Sequence, residues 1–367
     1  TGAGIAWTIS NNLITSNFPH EKNKYSDLAA IGTICDLQPL TDFNRSIAKM
    51  GLTELNTNSN LGIKKLLEVA AVKFPIDTYE IGWVIGPRLN ATGRLENAMD
   101  SLNLLISDDP TDALRISKEL NLLNQTRQDK TFAGFEMASK KIEENNIPNF
   151  IISSDENYHE GIIGLIAGRL TQKFNHPAVA ISIDKKTGLA KGSARSISGI
   201  SIVDSLREVE TLFEKVGGHE MAAGFTIKTE NIEKLNEFLN KTLKIDKSLF
   251  DKKIEADLEL PSSLISLSTF EKIQRLKPFG TGNPEPTFLT KNLKVFNKIV
   301  FGKENTHLKL FLLDENQNEF TALGFGRSYM SNKINIGETI DLCYNFSLNE
   351  WNGNRNLELK IREILSN

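Results

Sequence analysis

Two adjacent glycines followed by a histidine, Gly217-Gly218-His219, form the motif of this chain most suited to chemistry. Glycine lets a backbone come close to an anion, and an imidazole offers a proton or a hydrogen-bond donor, so the motif suits a phosphate site. Apolar residues alternate after Gly224, which predicts a strand, and we expect the motif on the turn from a helix into that strand. A tight turn with a buried histidine would give the same pattern, because short motifs also match by accident.

A hydroxyl and a guanidinium, those of Ser193 and Arg195, stand two residues apart in a run that we interpret as an extended turn. Residues at this spacing point the same way, so both groups can reach one terminal phosphate. His159 comes just before the helix predicted over IIGLIAGRL, whose first N–H groups favour an anion. Arg169, about two turns along that helix, is a further phosphate contact or a plain surface residue. The spacing around His159 is not His-Glu-x-x-His, so zinc hydrolysis has no support.

Three other places carry side chains that could bind metal, phosphate or a base. Asp36 ends the predicted apolar strand LAAIGTICD, where a carboxylate can bind a hard divalent cation or cap the next element. Asn90 and Arg94 lie in GPRLNATGR, where glycines permit a sharp bend and guanidiniums suit phosphates or structural carboxylates. Trp351 stands beside an Asn-Gly hairpin, where its indole can stack on a base or pack in the core.

Length and composition indicate the number of domains and the class of protein that carry these sites. The chain has 367 residues, 40% hydrophobic and 24% charged, which suits two or three domains with their own cores. Its two cysteines, Cys35 and Cys343, lie far apart and indicate neither a disulfide framework nor a zinc knuckle, and no apolar run reaches the ~20 residues of a membrane span. We expect a soluble, cytoplasmic protein. Because Thr1 is not a methionine and the first residues have the pattern of a helix interior, we also expect the chain to begin within a longer protein.

The pattern of apolar residues predicts an α/β protein in which two α/β lobes are joined by a long helix and followed by an OB-fold β-barrel. The first lobe covers residues 1–105, the connecting helix 106–146, the second lobe 147–247 and the barrel 248–367. Although the net charge is −3, residues 271–309 carry eight basic and three acidic side chains, a local net of +5. This basic segment is either a nucleic-acid-binding face or a solvated lysine-rich surface.

Taken together, these segments resemble, in order and over nearly the whole chain, the RecJ family of single-strand-specific exonucleases in the DHH phosphoesterase superfamily. The segments that carry the resemblance are DLAAIGTICDLQPL, GPRLNATGRLENA, YHEGIIGLIAGRL, KGSARS, GGHEMAAG, KPFGTGNPEP and the ending EWNG with LELKI. The resemblance implies the C-terminal part of a DHH domain, a DHH-associated domain and an OB module. It further implies 5′-to-3′ hydrolysis of single-stranded DNA to mononucleotides by two divalent cations, Mn²⁺ or Mg²⁺, in DNA repair and recombination.

Site roles also follow from the resemblance. It assigns Asp36 to the cations, His219 to the scissile phosphate, Ser193 and Arg195 to the DNA 5′ end, and Arg169 to a DNA contact. Gly217, Gly218, His159, Asn90, Arg94 and Trp351 complete the expected substrate-binding set. We expect a monomer that binds single-stranded DNA and no membrane, with a repair helicase or a single-strand-binding protein as further partners.

The family's earlier motifs, an Asp-x-Asp and the Asp-His-His, are absent from this sequence, so we expect them upstream of Thr1 and the fragment alone to be inactive. Two alternatives remain open. One is a DHH phosphodiesterase of short oligonucleotides or cyclic dinucleotides, and the other is a non-catalytic nucleic-acid-binding replication factor.

Overall fold

A computed structural model describes residues 1–17, 23–95, 97–144, 146–251, 253–351 and 353–366. The chain divides into two compact units, one made of Thr1–Gly51 with Lys253–Asn367 and the other of Leu52–Lys252. The α/β class expected from the sequence is confirmed. No helix in the described part of the chain is both long enough and apolar enough to span a membrane.

In the described part of the first 106 residues, every regular element is a helix. Their helices are α1 (Gly2–Asn17), α2 (Ser26–Cys35), α3 (Asp42–Thr57), α4 (Leu61–Val69), α5 (Thr78–Glu80), α6 (Gly86–Leu95) and α7 (Met99–Ile106), with a π-helical turn at Ile81–Ile85. The strand predicted to end at Asp36 is therefore wrong, because the run before it forms α2. Helix α2 is buried on most of its sides, and a short apolar run gives no period by which a buried helix is told from a buried strand.

The segment GPRLNATGR is also helical, contrary to the predicted bend. It forms α6, which continues from α5 through the π-helical turn. Both of its glycines lie within the helix, and Pro87 occupies the first turn, where its missing N–H has no intrahelical acceptor in any case. Arg88 and Arg94 are consequently held on a regular helix rather than on a loop.

Helix α8 (Pro110–Glu143) has 34 residues and confirms the long helix predicted in this region. The carboxylate of Asp109 caps its start by accepting from the N–H of Thr111, and Lys140 and Lys141 lie in its last turn, where they complement the helix dipole. At 1.5 Å per residue such a helix is about 50 Å long. All of α8 belongs to the unit Leu52–Lys252.

The same unit contains a five-stranded sheet in the order β1-β2-β3-β5-β4. Its elements follow α8 as β1 (Ile151–Asp155), α9 (Ile163–Phe174), β2 (Ala178–Asp184), β3 (Leu189–Arg195), α10 (Ile202–Arg207), β4 (Phe213–His219), β5 (Ala222–Lys228) and α11 (Ile232–Glu237). Short 3₁₀ or π turns lie at Glu210–Leu212, Thr229–Asn231, Phe238–Thr242 and Lys247–Phe250. Strands β1 and β2 are parallel and the other pairs antiparallel. One hydrophobic cluster joins the sheet to α8 and α9, and another joins it to α10 and α11, so helices cover both faces.

Two motifs of this sheet differ from the prediction in their local structure. The run around Ser193 and Arg195 is strand β3 rather than a turn, and it alternates between buried and more exposed residues. The Gly-Gly-His motif lies at the end of β4 and leads into a hairpin, with His219 paired to Ala222, rather than on a helix-to-strand turn. Because glycine has no side chain, the two adjacent glycines interrupt the alternation of apolar and polar residues by which a strand is predicted.

The other unit contains a closed barrel. Its elements are β6 (Leu258–Glu259), a 3₁₀ turn (Ser262–Leu264), α12 (Leu267–Gln274), β7 (Phe288–Phe301), β8 (His307–Leu313), β9 (Glu319–Gly324), a second 3₁₀ turn (Ser328–Lys333), β10 (Thr339–Trp351) and β11 (Asn354–Ser366). Strands β7 to β11 pair in the order β7-β8-β9-β11-β10, and β10 returns to β7. Only the β9–β11 pair among these five strands is parallel. The predicted OB-type barrel is confirmed, and Leu308, Leu310 and Leu312 of β8 point into its core.

Candidate functional site

Strand β3 presents Ser193 and Arg195 on one face of the sheet. The Nη1 of Arg195 donates to Ser193 Oγ at 3.1 Å and to the carbonyl of Ala194 at 2.8 Å. The two side chains point the same way, as their spacing predicts, because alternate residues of a strand share a face. Both side chains are half-buried. Burial lowers the pKa of Arg195, and the positive charge of Arg94 lowers it further, so a bound anion would relieve an unfavourable environment.

The first turn of α9 lies directly against this pair. A Cβ added to Gly164 would stand 2.9 Å from Arg195 Nη2 and 3.0 Å from Ser193 Oγ, so only glycine leaves both groups in place. The N-cap residue Ile162 supplies no side-chain acceptor to the helix. The first N–H groups of an α-helix have no intrahelical acceptor, and together with the helix dipole they attract an anion. A hydroxyl, a guanidinium and a helix N-terminus therefore converge.

These groups open onto a cleft of about 660 Å³. Glycines make up much of its lining, namely Gly93, Gly161, Gly164, Gly192, Gly217 and Gly224. The basic side chains on the lining are Arg94, Lys191, Arg195 and Lys215, and the carboxylate on it, Glu160, forms an ion pair with Lys191. The cleft is positively charged and gives close access to the backbone, as an anion site requires.

Arg94, which the sequence marked, reaches the cleft from the last turn of α6. Its Nη1 donates to the carbonyl of Gly161 at 3.3 Å, and burial lowers its pKa. A Cβ added to Gly161 would stand 1.9 Å from the carbonyl oxygen of Arg94, so α6 and the turn before α9 pack too closely for any side chain there. Arg169 is exposed on α9, with its guanidinium 5.9 Å from the ring centre of Phe135.

The Gly-Gly-His motif reaches the cleft only in part. Gly217 lines it, and the position where a Cβ would stand is open. Gly218 has φ +157° and lies against the hairpin, since a Cβ there would come within 2.4 Å of the Ala222 carbonyl oxygen. His219 is exposed at the end of β4 and is not among the described residues that line the cleft.

His159 has a structural role in the turn before α9. Its Nδ1 accepts a hydrogen bond from the N–H of Gly161 at 3.0 Å, and its side chain lines a separate depression. Asn90 is exposed on α6 and is not among the described lining residues. Trp351 is the last residue of β10, and its side chain lies outside the described residues.

Asp36 lies in the other unit, exposed just beyond α2, where its carboxylate accepts from Gln38 Nε2 at 3.0 Å. Divalent Mg²⁺ and Ca²⁺ are held by several oxygen ligands. Across the described residues, no three His, Cys, Asp or Glu side chains come together in a group that could hold a metal ion. The donors present in this part of the chain therefore do not fit a pair of cations by themselves.

Two basic residues near the site were missed from the sequence. Lys215 lines the cleft from β4 two residues before Gly217, so the alternation of a strand would have found it. Arg127 on α8 is close enough to Arg94 for the charge of Arg94 to lower its pKa. It belongs to no motif, and only the packing of α8 brings it near.

Comparison with known proteins agrees with this architecture. A model of the DHHA1 domain matches residues 148–245, and a model of the RecJ OB domain matches residues 256–363. The single-stranded-DNA-specific exonuclease RecJ of Bacillus subtilis is 33% identical over 368 residues, covering 99% of this chain and 46% of that protein. The protein of the same name from Haemophilus influenzae is 33% identical over 357 residues, covering 92% of this chain and 61% of that protein.

Two solved structures match over most of the chain. RecJ from Thermus thermophilus in complex with Mg²⁺ superposes with a TM-score of 0.79 at 27% identity, covering 94% of this chain and 52% of that one. The same protein with Mn²⁺ gives a TM-score of 0.79 at 28% identity, covering 94% and 50%. The chain thus spans about half the length of the relatives it matches.

Proposed function

The chain belongs to the RecJ family, and from that premise we propose that it forms the end-binding and strand-binding part of a single-stranded-DNA-specific 5′-to-3′ exonuclease. The observation that carries the proposal is the Ser193–Arg195 pair at the N-terminus of α9. Its groups suit a terminal phosphate, which carries more negative charge than a phosphodiester and exposes more oxygens. A site that holds the 5′ phosphate would fix both the polarity of digestion and the size of each step.

Each group has a defined task in this proposal. The hydroxyl of Ser193 accepts from Arg195 at 3.1 Å and keeps its own proton for a phosphate oxygen. Arg195 retains donors beyond those used on Ser193 and Ala194, and the half-buried setting strengthens their interaction with an anion. His219, exposed two residues after the cleft-lining Gly217, is proposed to stabilise an oxygen of the scissile phosphate or to assist the leaving group.

Divalent cations enter the proposal through the relatives solved with Mg²⁺ and with Mn²⁺. When bound, such ions activate a water molecule and neutralise charge on a phosphate. Asp36 is the one carboxylate that the family resemblance assigns to them, and no complete ligand group exists among the described residues. The proposal therefore assigns the other ligands to residues beyond the described ones, and no hydrolytic step is attributed to this chain.

The barrel is proposed to grip the DNA strand by charge and stacking. On the outer face of β8, Lys309 Nζ lies 5.5 Å from the ring centre of Phe311, whose ring is 6.0 Å from that of Phe296. Aromatic rings stack on bases of any sequence, and lysines bind the backbone, so this face favours single strands with little sequence preference.

The barrel also favours this function over a phosphodiesterase of short oligonucleotides or cyclic dinucleotides. A substrate of one or two nucleotides that fits the cleft would not need a second binding surface with its own aromatic and basic residues. A non-catalytic replication factor would use the barrel but would not need a site for a terminal phosphate.

The test compares ligands and substrates of different length. We expect the chain to bind a long 5′-phosphorylated single strand more tightly than the matching duplex or a dinucleotide. We also expect a family-length protein containing it to release mononucleotides from that strand with Mn²⁺ or Mg²⁺. Faster hydrolysis of the dinucleotide would favour the oligonucleotide phosphodiesterase, and tight binding without hydrolysis would favour the replication factor. As a control, Arg115→Gln removes a basic residue of α8 that is paired with Asp112 and Glu119, and this variant should bind the strand as the wild type does.

A further inference from the structure

We propose that the cleft contains a second anion subsite, formed by Lys191, Thr226 and Lys215, which takes the outer phosphates of a 5′-triphosphate group. All three residues line the cleft. The inference rests on the proposed function and extends it to 5′ ends that carry more than one phosphate, whether on a strand or on a free nucleotide.

The subsite lies on the part of the sheet that helices leave open. Helix α9 packs on one face over β1 and β2, where Ala178 and Ala180 of β2 belong to its hydrophobic cluster. These two alanines pair with Arg195 and Ser193 of β3, so all four share that face. Further along the same face, the residues of β5 and β4 are half-buried or exposed, whereas the opposite face of β5 is buried. The floor of the cleft is therefore the open face of three regular strands.

The pairing of β3, β5 and β4 arranges this open face in three rows across the strands. Residues directly opposite each other on neighbouring strands share a face, so each row takes one residue from each strand. The rows are Arg195, Ala222 and His219, then Ser193, Gly224 and Gly217, then Lys191, Thr226 and Lys215. At 3.3–3.4 Å per residue, neighbouring rows are about 7 Å apart.

The order of the rows separates the lysines from the bond that is cut. In the proposed function, the 5′ phosphate lies at Ser193 and Arg195, and His219 acts on the scissile phosphate. His219 is in the same row as Arg195, whereas the lysine row lies beyond Ser193 in the opposite direction. A strand that runs from the 5′-phosphate site towards His219 therefore does not cover the lysine row. A 5′ end reaches this row only if it carries further phosphates.

The lysine row has the charge that additional phosphates require. Lys215 is exposed, and no carboxylate of the described chain forms an ion pair with it. Lys191 is paired with Glu160, but the two side chains are 59% and 56% exposed, and ion pairs with such exposure are weak. A phosphate group can therefore replace the carboxylate on Lys191. Thr226 lies between the two lysines and adds a hydroxyl donor.

The experiment measures the dissociation constants of thymidine 5′-monophosphate and 5′-triphosphate for the 367-residue chain, without divalent cations and at constant salt. We expect the wild type to prefer the triphosphate by about tenfold or more, because the lysine row contacts only the longer ligand. Lys215→Gln should weaken triphosphate binding about tenfold. It should weaken monophosphate binding only about twofold, because salt screens a charge over about 8 Å.

Two further variants sharpen the comparison. Glu160→Gln removes the carboxylate that competes for Lys191, so it should strengthen triphosphate binding more than monophosphate binding. Lys185→Gln is the matched control, because Lys185 is likewise an exposed lysine paired with a glutamate, Glu156, but is not among the described residues that line the cleft. It removes the same charge and should bind both ligands as the wild type does.

The two sources of a 5′ triphosphate are distinguished by repeating the measurement with an oligothymidylate that carries one or three phosphates at its 5′ end. A loss in Lys215→Gln that is confined to the triphosphorylated strand identifies a strand end as the ligand. A loss confined to the nucleotide identifies a free nucleoside triphosphate. Either result supports the subsite.

Other results would overturn the inference. If the wild type binds one and three phosphates equally well on both the nucleotide and the strand, or if Lys215→Gln weakens both forms by the same factor, the lysine row is not a phosphate subsite. Melting curves report whether each variant is folded. If Lys215→Gln does not fold, Glu160→Gln decides, and an unchanged preference for the triphosphate in that variant would contradict the assignment. A wild-type chain that binds a 5′-hydroxyl strand as tightly as a 5′-monophosphate strand would instead overturn the proposed function itself.

Discussion

Arg195 donates from Nη1 to the hydroxyl of Ser193 at 3.1 Å, and the first turn of α9 closes on both side chains at Gly164. This arrangement uses three general devices for anion binding: a forked cation, a hydroxyl and the end of a helix. The cation and the hydroxyl lie on β3 and the helix end is that of α9, so the packing of α9 on β3 determines the geometry of the site.

Gly164→Ala should separate affinity from stability. A Cβ at this position would stand 2.9 Å from Arg195 Nη2 and 3.0 Å from Ser193 Oγ, so the pair must move. Alanine is also the better helix former by about 1 kcal/mol, which offsets the strain. We expect affinity for a 5′-phosphorylated oligonucleotide to fall at least tenfold with little loss of melting temperature.

Gly168→Ala is the matched control for this change. It lies one turn further along α9, and its added Cβ would meet nothing closer than Arg195 Cγ at 4.0 Å. Its affinity should equal that of the wild type. Equal losses of affinity in the two variants would show that α9, rather than the contact with Ser193 and Arg195, responds to the extra methyl group.

His219→Ala tests the proposed role of the imidazole at the end of β4. The side chain is exposed and its ring lies outside the set of described cleft residues, so its removal should leave DNA affinity within about twofold. In a family-length enzyme, loss of a group that acts on the transition state should lower kcat by about 100-fold. Single-turnover rates measured beside equilibrium binding check this, and equal losses in both quantities would contradict the role.

Asp314 should make the barrel sensitive to acid. It is 5% exposed and accepts from the N–H groups of Asn316 and Asn318 and the hydroxyl of Ser262. Burial alone would raise the pKa of Asp314, but these hydrogen bonds outweigh it and the net pKa lies below the usual 3.8. Because the folded pKa is depressed, the stabilisation is complete above about pH 4 and is lost as the pH falls through the folded value.

Asp314→Ala should therefore cost about 1–3 kcal/mol of barrel stability at pH 7 and progressively less below pH 4. Hydrogen exchange of the barrel amides between pH 3 and pH 7 measures this, with allowance for the intrinsic exchange rate. Glu315→Ala, at the exposed neighbouring position, is the control and should show no such pH dependence. A constant difference across the range would mean that the charge of Asp314 is not involved.

The parts of the fold with a strong period or clear ends were predictable. Helix α8 has a capping Asp109, a proline in its first turn and lysines in its last turn, and the barrel strands alternate between core and surface. The run before Asp36 had neither signal. Its apolar residues are buried on most sides of α2, so burial by the surrounding chain, rather than any local pattern, determines its helical structure.

The residues of the candidate site likewise fall into those that a local sequence signal predicted and those that it did not. Ser193 and Arg195 were found because the spacing of two residues is meaningful both on a strand and on an extended turn. The histidine of the glycine motif was found, but among the motif's residues it is Gly217, not the imidazole, that lines the cleft. Arg127 could not be found, because its nearness to Arg94 arises from the packing of α6 against α8, which no local sequence signal records.

The most direct test of the account is the coupling between Arg195 and the 5′ phosphate of a single strand. Affinities of wild type and Arg195→Ala for the same oligonucleotide with a 5′ phosphate and with a 5′ hydroxyl form a double-mutant cycle. The account predicts a coupling free energy of about 1.5–3 kcal/mol, the range for a hydrogen bond to a charged group. Identical effects of the variant on both oligonucleotides, a coupling near zero, would contradict it.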